Sequence, residues 1–209
     1  MPWAKKEKEM FKKSVEELKS LKTLVVVAML IAISTVLSFY TIQPAPWLKI
    51  NFCFLPIATI GMLGGPILGL LSGMICDVTD FLVHPNGPFL PLYTLIGGLQ
   101  GLIYGLILYH KNDKYNILLK NNFSEKTTNI TLYLRAFIAR LIDVLLINLY
   151  CNTQANIYYE FIPKEATSEV VLIRVAKNAV ELFADIPLMF ILLPAILLAH
   201  KKIFLRRAV

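Results

Sequence analysis

Histidine, cysteine and acidic side chains are all scarce in this 209-residue chain, and each scarcity closes a class of function. The three histidines (His84, His110, His200) stand far apart at segment ends, and no HExxH, GxSxG or paired Cys/His stretch occurs. Neither a metal centre nor a hydrolytic nucleophile is therefore expected. Cys53, Cys76 and Cys151 lie in apolar surroundings without a CxxC, which reads as packing rather than ligation or a disulfide. No GxxxxGKS/T loop is present, so any ATP the protein depends on is bound by another subunit. Residues 1–22 are charged and lack the small-residue cleavage site of a secretory signal. Asp and Glu total 14 against 21 Lys and Arg, a net charge of +7. In an apolar chain that surplus marks loops held at the cytoplasmic face, not a nucleic-acid surface. The expectation is no enzyme, no cofactor, no metal and no nucleic-acid partner.

Apolar residues are what the chain has in excess. They make up 56% of it, and the mean hydropathy is +0.62. Six apolar segments account for most of the length: Leu21 to about Ile42, Asn51 to Leu63, Ile67 to Val83, Leu92 to Tyr109, Ile130 to Tyr150 or on past Asn156, and Val171 to His200. A membrane helix needs about 20 apolar residues to cross a ~30 Å hydrocarbon core. The second segment is short and the last is longer than needed. Pro44 and Pro46 end the first segment, Gly64-Gly65-Pro66 makes a tight turn, and a Pro-rich stretch follows His84. Residues 1–22 hold seven Lys, the 110–129 loop four, and the tail Lys201, Lys202, Arg206 and Arg207. With six crossings all fifteen fall on one face, which the positive-inside rule makes cytoplasmic. The fold class expected is thus all-α and integral to the membrane: six transmembrane helices, both termini cytoplasmic, and an amphipathic N-terminal helix. Residues 1–20 form the leader, 21–200 the membrane domain and 201–209 a basic tail. The leader reads equally as a helix on the anionic inner leaflet or as a solvated lead-in. The loops at 43–50, 84–91 and 157–170 are then external, and irregular backbone there suits the rim of an outward-facing pocket.

Three patterns carry chemistry. Gly65, Gly69 and Gly73 repeat every fourth residue, as do Gly97, Gly101 and Gly105; two such stripes let helix backbones touch. Ala28 and Ala32 form a smaller stripe of the same kind. Ionisable and amide groups inside the segments are costly in lipid and mark a pair or a site. Arg174, Asn178, Glu181 and Asp185 share one helical face, and Asn148 with Asn152 share another. Asp77 and Asp80 stand at the outer end of the third segment. Arg140 with Asp143 reads as a structural pair, and Arg140 or Lys177 are partners for Glu181 and Asp185. The remaining outer groups, with Trp47, Lys49, Phe89 and Tyr93 from the loops, could line a solute pocket with aromatic walls and both charge signs.

The stretches AMLIA (Ala28–Ala32), LKINFCFLPIATIGMLGGPILGLLSGMICD (Leu48–Asp77), HPNGPFLPLYTLIGGLQGLIYG (His84–Gly105), NLYCNT (Asn148–Thr153) and IRVAKN (Ile173–Asn178), with Pro187 beyond, carry a resemblance. Over residues 21–200 the chain resembles the substrate-binding S components of energy-coupling factor vitamin transporters, most closely the folate-type group. That resemblance implies a six-helix membrane protein holding one vitamin in an outward-facing pocket. It also implies association with a transmembrane coupling subunit, through the Ala28/Ala32 face, and with two cytoplasmic ATPase subunits. The resemblance puts the pocket at the first and third outer loops, the ends of the fourth and fifth helices and the cluster Arg174, Lys177 and Asn178. With the polar and aromatic groups above, the expected substrate set is Trp47, Lys49, Asp77, Asp80, Phe89, Tyr93, Asn148, Asn152, Arg174, Lys177 and Asn178. Folate is the implied vitamin, with pantothenate, thiamine or a pyrimidine precursor as alternatives. The chain departs from the folate-type pattern at Gln154-Ala155-Asn156, where a Trp is usual, and at Lys49, where Arg is usual. A ligand-free membrane interaction subunit is the rival reading, in which the polar groups pair among themselves.

Overall fold

A computed structural model describes residues 2–45, 48–83, 85, 88–109, 125–162 and 167–204. Helix α1 (Pro2–Glu17) leads into α2 (Leu21–Ser38). Two short strands, β1 (Ile42–Ala45) and β2 (Leu48–Ile50), pair antiparallel before α3 (Phe54–Val83). Helix α4 (Pro91–Leu108) follows, and then α5 (Glu125–Ile142). A π-helical segment (Asp143–Cys151) continues α5 into α6 (Asn152–Tyr158), and α7 (Thr167–Phe204) closes the described chain. The regular structure among the described residues is thus helical apart from one small hairpin. That hairpin differs from the irregular loop expected at 43–50: Pro44 lies within β1, and a proline without an N–H is tolerated on an edge strand, which both strands of a two-stranded sheet are.

Helix α3 is two helices joined at Gly65, whose φ of 84° is open to glycine alone without strain. Pro66 follows and restarts the helix. The chain doubles back there. A methyl built on Gly69 would stand 3.4 Å from the Gly61 Cα, whereas eight residues of continuous helix span about 12 Å. The Gly64-Gly65-Pro66 turn expected from sequence is therefore present, and the second and third apolar segments are its two limbs. The first limb, Phe54–Gly64, is only about 16 Å long.

The second limb lies backbone to backbone against α4. A side chain on Gly69 would run into the Gly101 carbonyl, on Gly73 into the Gly97 carbonyl, and on Gly105 into Pro66. The two glycine stripes thus serve close packing. The largest core cluster, including Phe54, Ala58, Tyr104, Ala136, Ala139 and Met189, joins α3, α4, α5 and α7.

Four helical stretches are long and apolar enough to cross a membrane: Leu21–Ser38, Phe54–Val83, Pro91–Leu108 and Ser168–Ala199. The helical run 125–158 is not among them: its first helix carries four charged residues, Glu125, Lys126, Arg135 and Arg140, and the π segment divides the apolar stretch that follows. It does run on past Asn156 without leaving helical geometry. Helix α2 buries only Val27, Ser34 and Ser38, and α7 leaves Leu172, Val180, Phe183 and Ile191 more than two-thirds exposed. Water would not tolerate apolar surface on that scale, whereas a bilayer supplies its match.

Helix α1 is seated on the α3 turn. The fully buried Ser14 hydroxyl donates to the Gly64 carbonyl (2.8 Å) and accepts from the Ile67 N–H (3.1 Å). Gly65 and Pro66 interrupt the helical ladder, and one side chain satisfies both backbone groups beside the break. Leu18 packs with Val27, Ile60 and Leu68. The leader is therefore a docked helix rather than a solvated lead-in.

Candidate functional site

Two polar systems occupy the helical body. The deeper one centres on Arg140, which pairs with both Asp143 and Asp185. Asp143 also accepts from the Tyr104 hydroxyl (2.9 Å) and from Gln100 Nε2 (3.0 Å). The guanidinium lies 3.8 Å from the centroid of the Phe54 ring. Four helical elements are tied by this one group, and all three charges are buried. Breaking such a pair leaves an uncompensated charge in a low dielectric. The Arg140–Asp143 pair expected from sequence is present, and Arg140 is the partner of Asp185. Gln100 and Tyr104 were not foreseen; an isolated Gln and Tyr in an apolar helix give no periodic signal.

The second system lies towards the end of the bundle that holds α6 and the starts of α4 and α7. Three asparagines, each four residues apart, climb the π segment and α6. Asn152 Nδ2 donates to Asn148 Oδ1 (3.3 Å), and Asn156 Nδ2 donates to the Asn152 carbonyl (2.7 Å). The Tyr93 hydroxyl donates to Asn156 Oδ1 (2.9 Å). Across from them Arg174 donates to the Asn148 carbonyl (2.8 Å), and Asn178 donates to the Arg174 carbonyl (2.8 Å). The sequence-expected Tyr93, Asn148, Asn152, Arg174 and Asn178 are thus brought into one ladder across α4, the π segment, α6 and α7. The π segment matters here, since a single-turn register change re-aims the residues beyond it.

Two atoms of this region stand out. Asn178 is 2% exposed, and its Oδ1 has no hydrogen-bond partner among the described residues. The buried Thr153 hydroxyl is in the same state. Buried polar atoms are almost always satisfied, so such an exception needs a cause.

The other expected residues are distributed more widely. Asp77 accepts from the Thr94 hydroxyl (2.6 Å), which attaches the third apolar segment to the start of α4 beside Tyr93. Phe89 is half exposed and packs on Phe81, with ring centroids 5.2 Å apart. Asp80 is partly buried on α3 and is not placed in the ladder. Lys177 turns to Glu181 at 2.6 Å, a pairing that neutralises both. Trp47 and the side chain of Lys49 lie outside the described residues. Ala28 and Ala32 are exposed on α2.

Sequence reading missed Asn156, Thr94 and Tyr159. Tyr159 stacks on Tyr93 (5.8 Å) and accepts from the Leu92 N–H (3.4 Å), fixing the first turn of α4. The i, i+4, i+8 spacing of Asn148, Asn152 and Asn156 was the signal that could have found the third.

The profile of the ECF transporter substrate-specific component family matches residues 22–199. This chain belongs to that family. Among curated members, the chain is 26% identical to the folate transporter FolT of Clostridium novyi, over 78% of this chain and 83% of that one. It is 40% identical to FolT of Streptococcus mutans over a shorter stretch, 43% of this chain and 48% of that one. A crystal structure of FolT bound with folic acid superposes with a TM-score of 0.66 at 24% identity, covering 82% of this chain and 93% of that one. The structural likeness shows the substrate-specific-component fold. Family membership makes the protein a membrane transport component rather than an enzyme.

Proposed function

We propose that this chain is the folate-binding membrane subunit of an ECF-type importer. The observation that carries the reading is the polar ladder ending in Asn178, with a buried amide oxygen left unpartnered among the described residues. A group desolvated without a partner costs about 1–3 kcal/mol, a cost that a ligand N–H would cancel. The pterin ring of folate presents such donors on a flat face, and Tyr93, braced by Tyr159, offers a stacking surface. Similarity to the two folate transporters supports the choice of vitamin.

In this reading Asn148, Asn152, Asn178 and Asp77 address the ring. Arg174 and Lys49 attract the glutamate carboxylates, and Trp47, Phe89 and Tyr93 enclose the linker. Asp80 stands at the rim. Lys177 contributes through its pair with Glu181 rather than as a free cation. Closure of the 43–50 and 84–91 segments over the ligand would exclude water and strengthen each polar contact. The membrane domain, 21–200, crosses six times with the two α3 limbs as separate passes. The leader, 1–20, and the tail, 201–209, are both cytoplasmic. The exposed Ala28/Ala32 stripe receives a transmembrane coupling subunit, and two ATPase subunits supply the energy.

Tritiated folate binding to the purified protein tests this. Saturable binding displaced by unlabelled folate, but not by pantothenate or thiamine, is the expected result. Asn178→Ala and Arg174→Ala should each weaken binding about tenfold or more. Displacement by another vitamin instead would move the assignment to that vitamin. Unchanged affinity in both variants would remove the ladder from the site.

A further inference from the structure

The geometry points to α1 as a surface helix that grips anionic lipid headgroups at a depth fixed by its seat on α3. Its inner face is occupied: Ser14 is bonded into the α3 turn and Leu18 packs on the core. The flank beside that seat carries Lys8, Phe11, Lys12 and Val15, at i, i+3, i+4 and i+7, and all four are exposed. That spacing makes a single stripe in which cations and apolar side chains alternate. Glu9 and Glu16 fall on the flank beside it. Lys19 and Lys22 are exposed just beyond the helix end.

What surrounds the stripe selects its partner. Thr23 donates to Glu17 (2.6 Å), and Lys19 and Ser20 close a turn onto the last residues of α1. The helix is thus tied to the first turn of an apolar span that starts at Leu21. A helix fixed at that point lies where hydrocarbon gives way to headgroups. There Phe11 and Val15 can enter the acyl boundary while the lysines reach phosphates. A neutral headgroup would use only half of this surface; a phosphatidylglycerol-type headgroup uses all of it.

A reporter indole decides it. Phe11→Trp is placed in a Trp3→Phe, Trp47→Phe background and the full chain is put in nanodiscs. These contain phosphatidylcholine alone or with phosphatidylglycerol, each with brominated acyl chains near the headgroup. The expected result is blue-shifted emission, quenched by the bromolipid and quenched more with phosphatidylglycerol. Lys8→Gln with Lys12→Gln should remove that increment, each lysine contributing about fivefold in partitioning. Quenching indifferent to lipid charge overturns the proposal. So does an unquenched indole that becomes shielded from aqueous acrylamide only when purified coupling-module subunits are added, since the stripe would then belong to a protein. Val15→Trp repeats the reading if the first variant does not fold. None of these readings depends on which vitamin the protein binds.

Discussion

Arg140 sets the largest single-residue stake. It pairs with two buried aspartates on different helical elements, so Arg140→Met should cost about 3–5 kcal/mol. The melting temperature in detergent would fall accordingly, and restoring neutrality with Asp143→Asn and Asp185→Asn should recover part of the loss. Glu160 carries a smaller strain. It is the one non-glycine with positive φ among the described residues, at 58°, where it ends α6 as the Phe161 N–H reaches the Asn156 carbonyl. Glu160→Gly is expected to be neutral or to stabilise by up to about 1 kcal/mol, and Glu160→Val to destabilise by about 1 kcal/mol or more, read as opposite shifts in melting temperature. Ser14 holds two backbone groups at once. Ser14→Ala should cost about 1–3 kcal/mol and speed amide exchange at Ile67, with little change elsewhere.

Among elements, the α3–α4 seam allows a sharp contrast. At Gly101 a methyl group would strike the Gly69 carbonyl, which is backbone and cannot yield without parting the helices. At Gly98 the nearest atom belongs to the Met74 side chain, at 2.8 Å, and a rotamer change of that flexible chain clears it. Gly101→Ala should therefore lose about 2–3 kcal/mol or fail to accumulate in the membrane, while Gly98→Ala should cost about 1 kcal/mol or less. Thermal melts of the two purified variants make the comparison. The seam was legible in the sequence because glycines every fourth residue have few other uses in apolar helices. The hairpin at 42–50 was not, since two prolines within four residues look alike in a loop and on a strand edge. Nor was the π segment, whose composition is that of any apolar helix.

At the scale of the whole molecule, the order of apolar segments could be read before any coordinates, because lipid forces the backbone into helices and leaves composition to mark their ends. The α3 limbs were separable for the same reason: Gly65 and Pro66 have a stereochemical meaning that survives any tertiary context. The site was legible only in part. Tyr93, Asn148, Asn152, Arg174 and Asn178 announced themselves as polar groups where polarity is costly. Tyr159 and Thr94 could not, because their roles come from neighbours distant in sequence. Where backbone meets backbone along α3 and α4, there are no rotamers to rearrange and no interior slack. That pair behaves as a rigid spine, so whatever shape change accompanies loading and unloading of a solute falls to the elements packed around the seam and not to the seam itself.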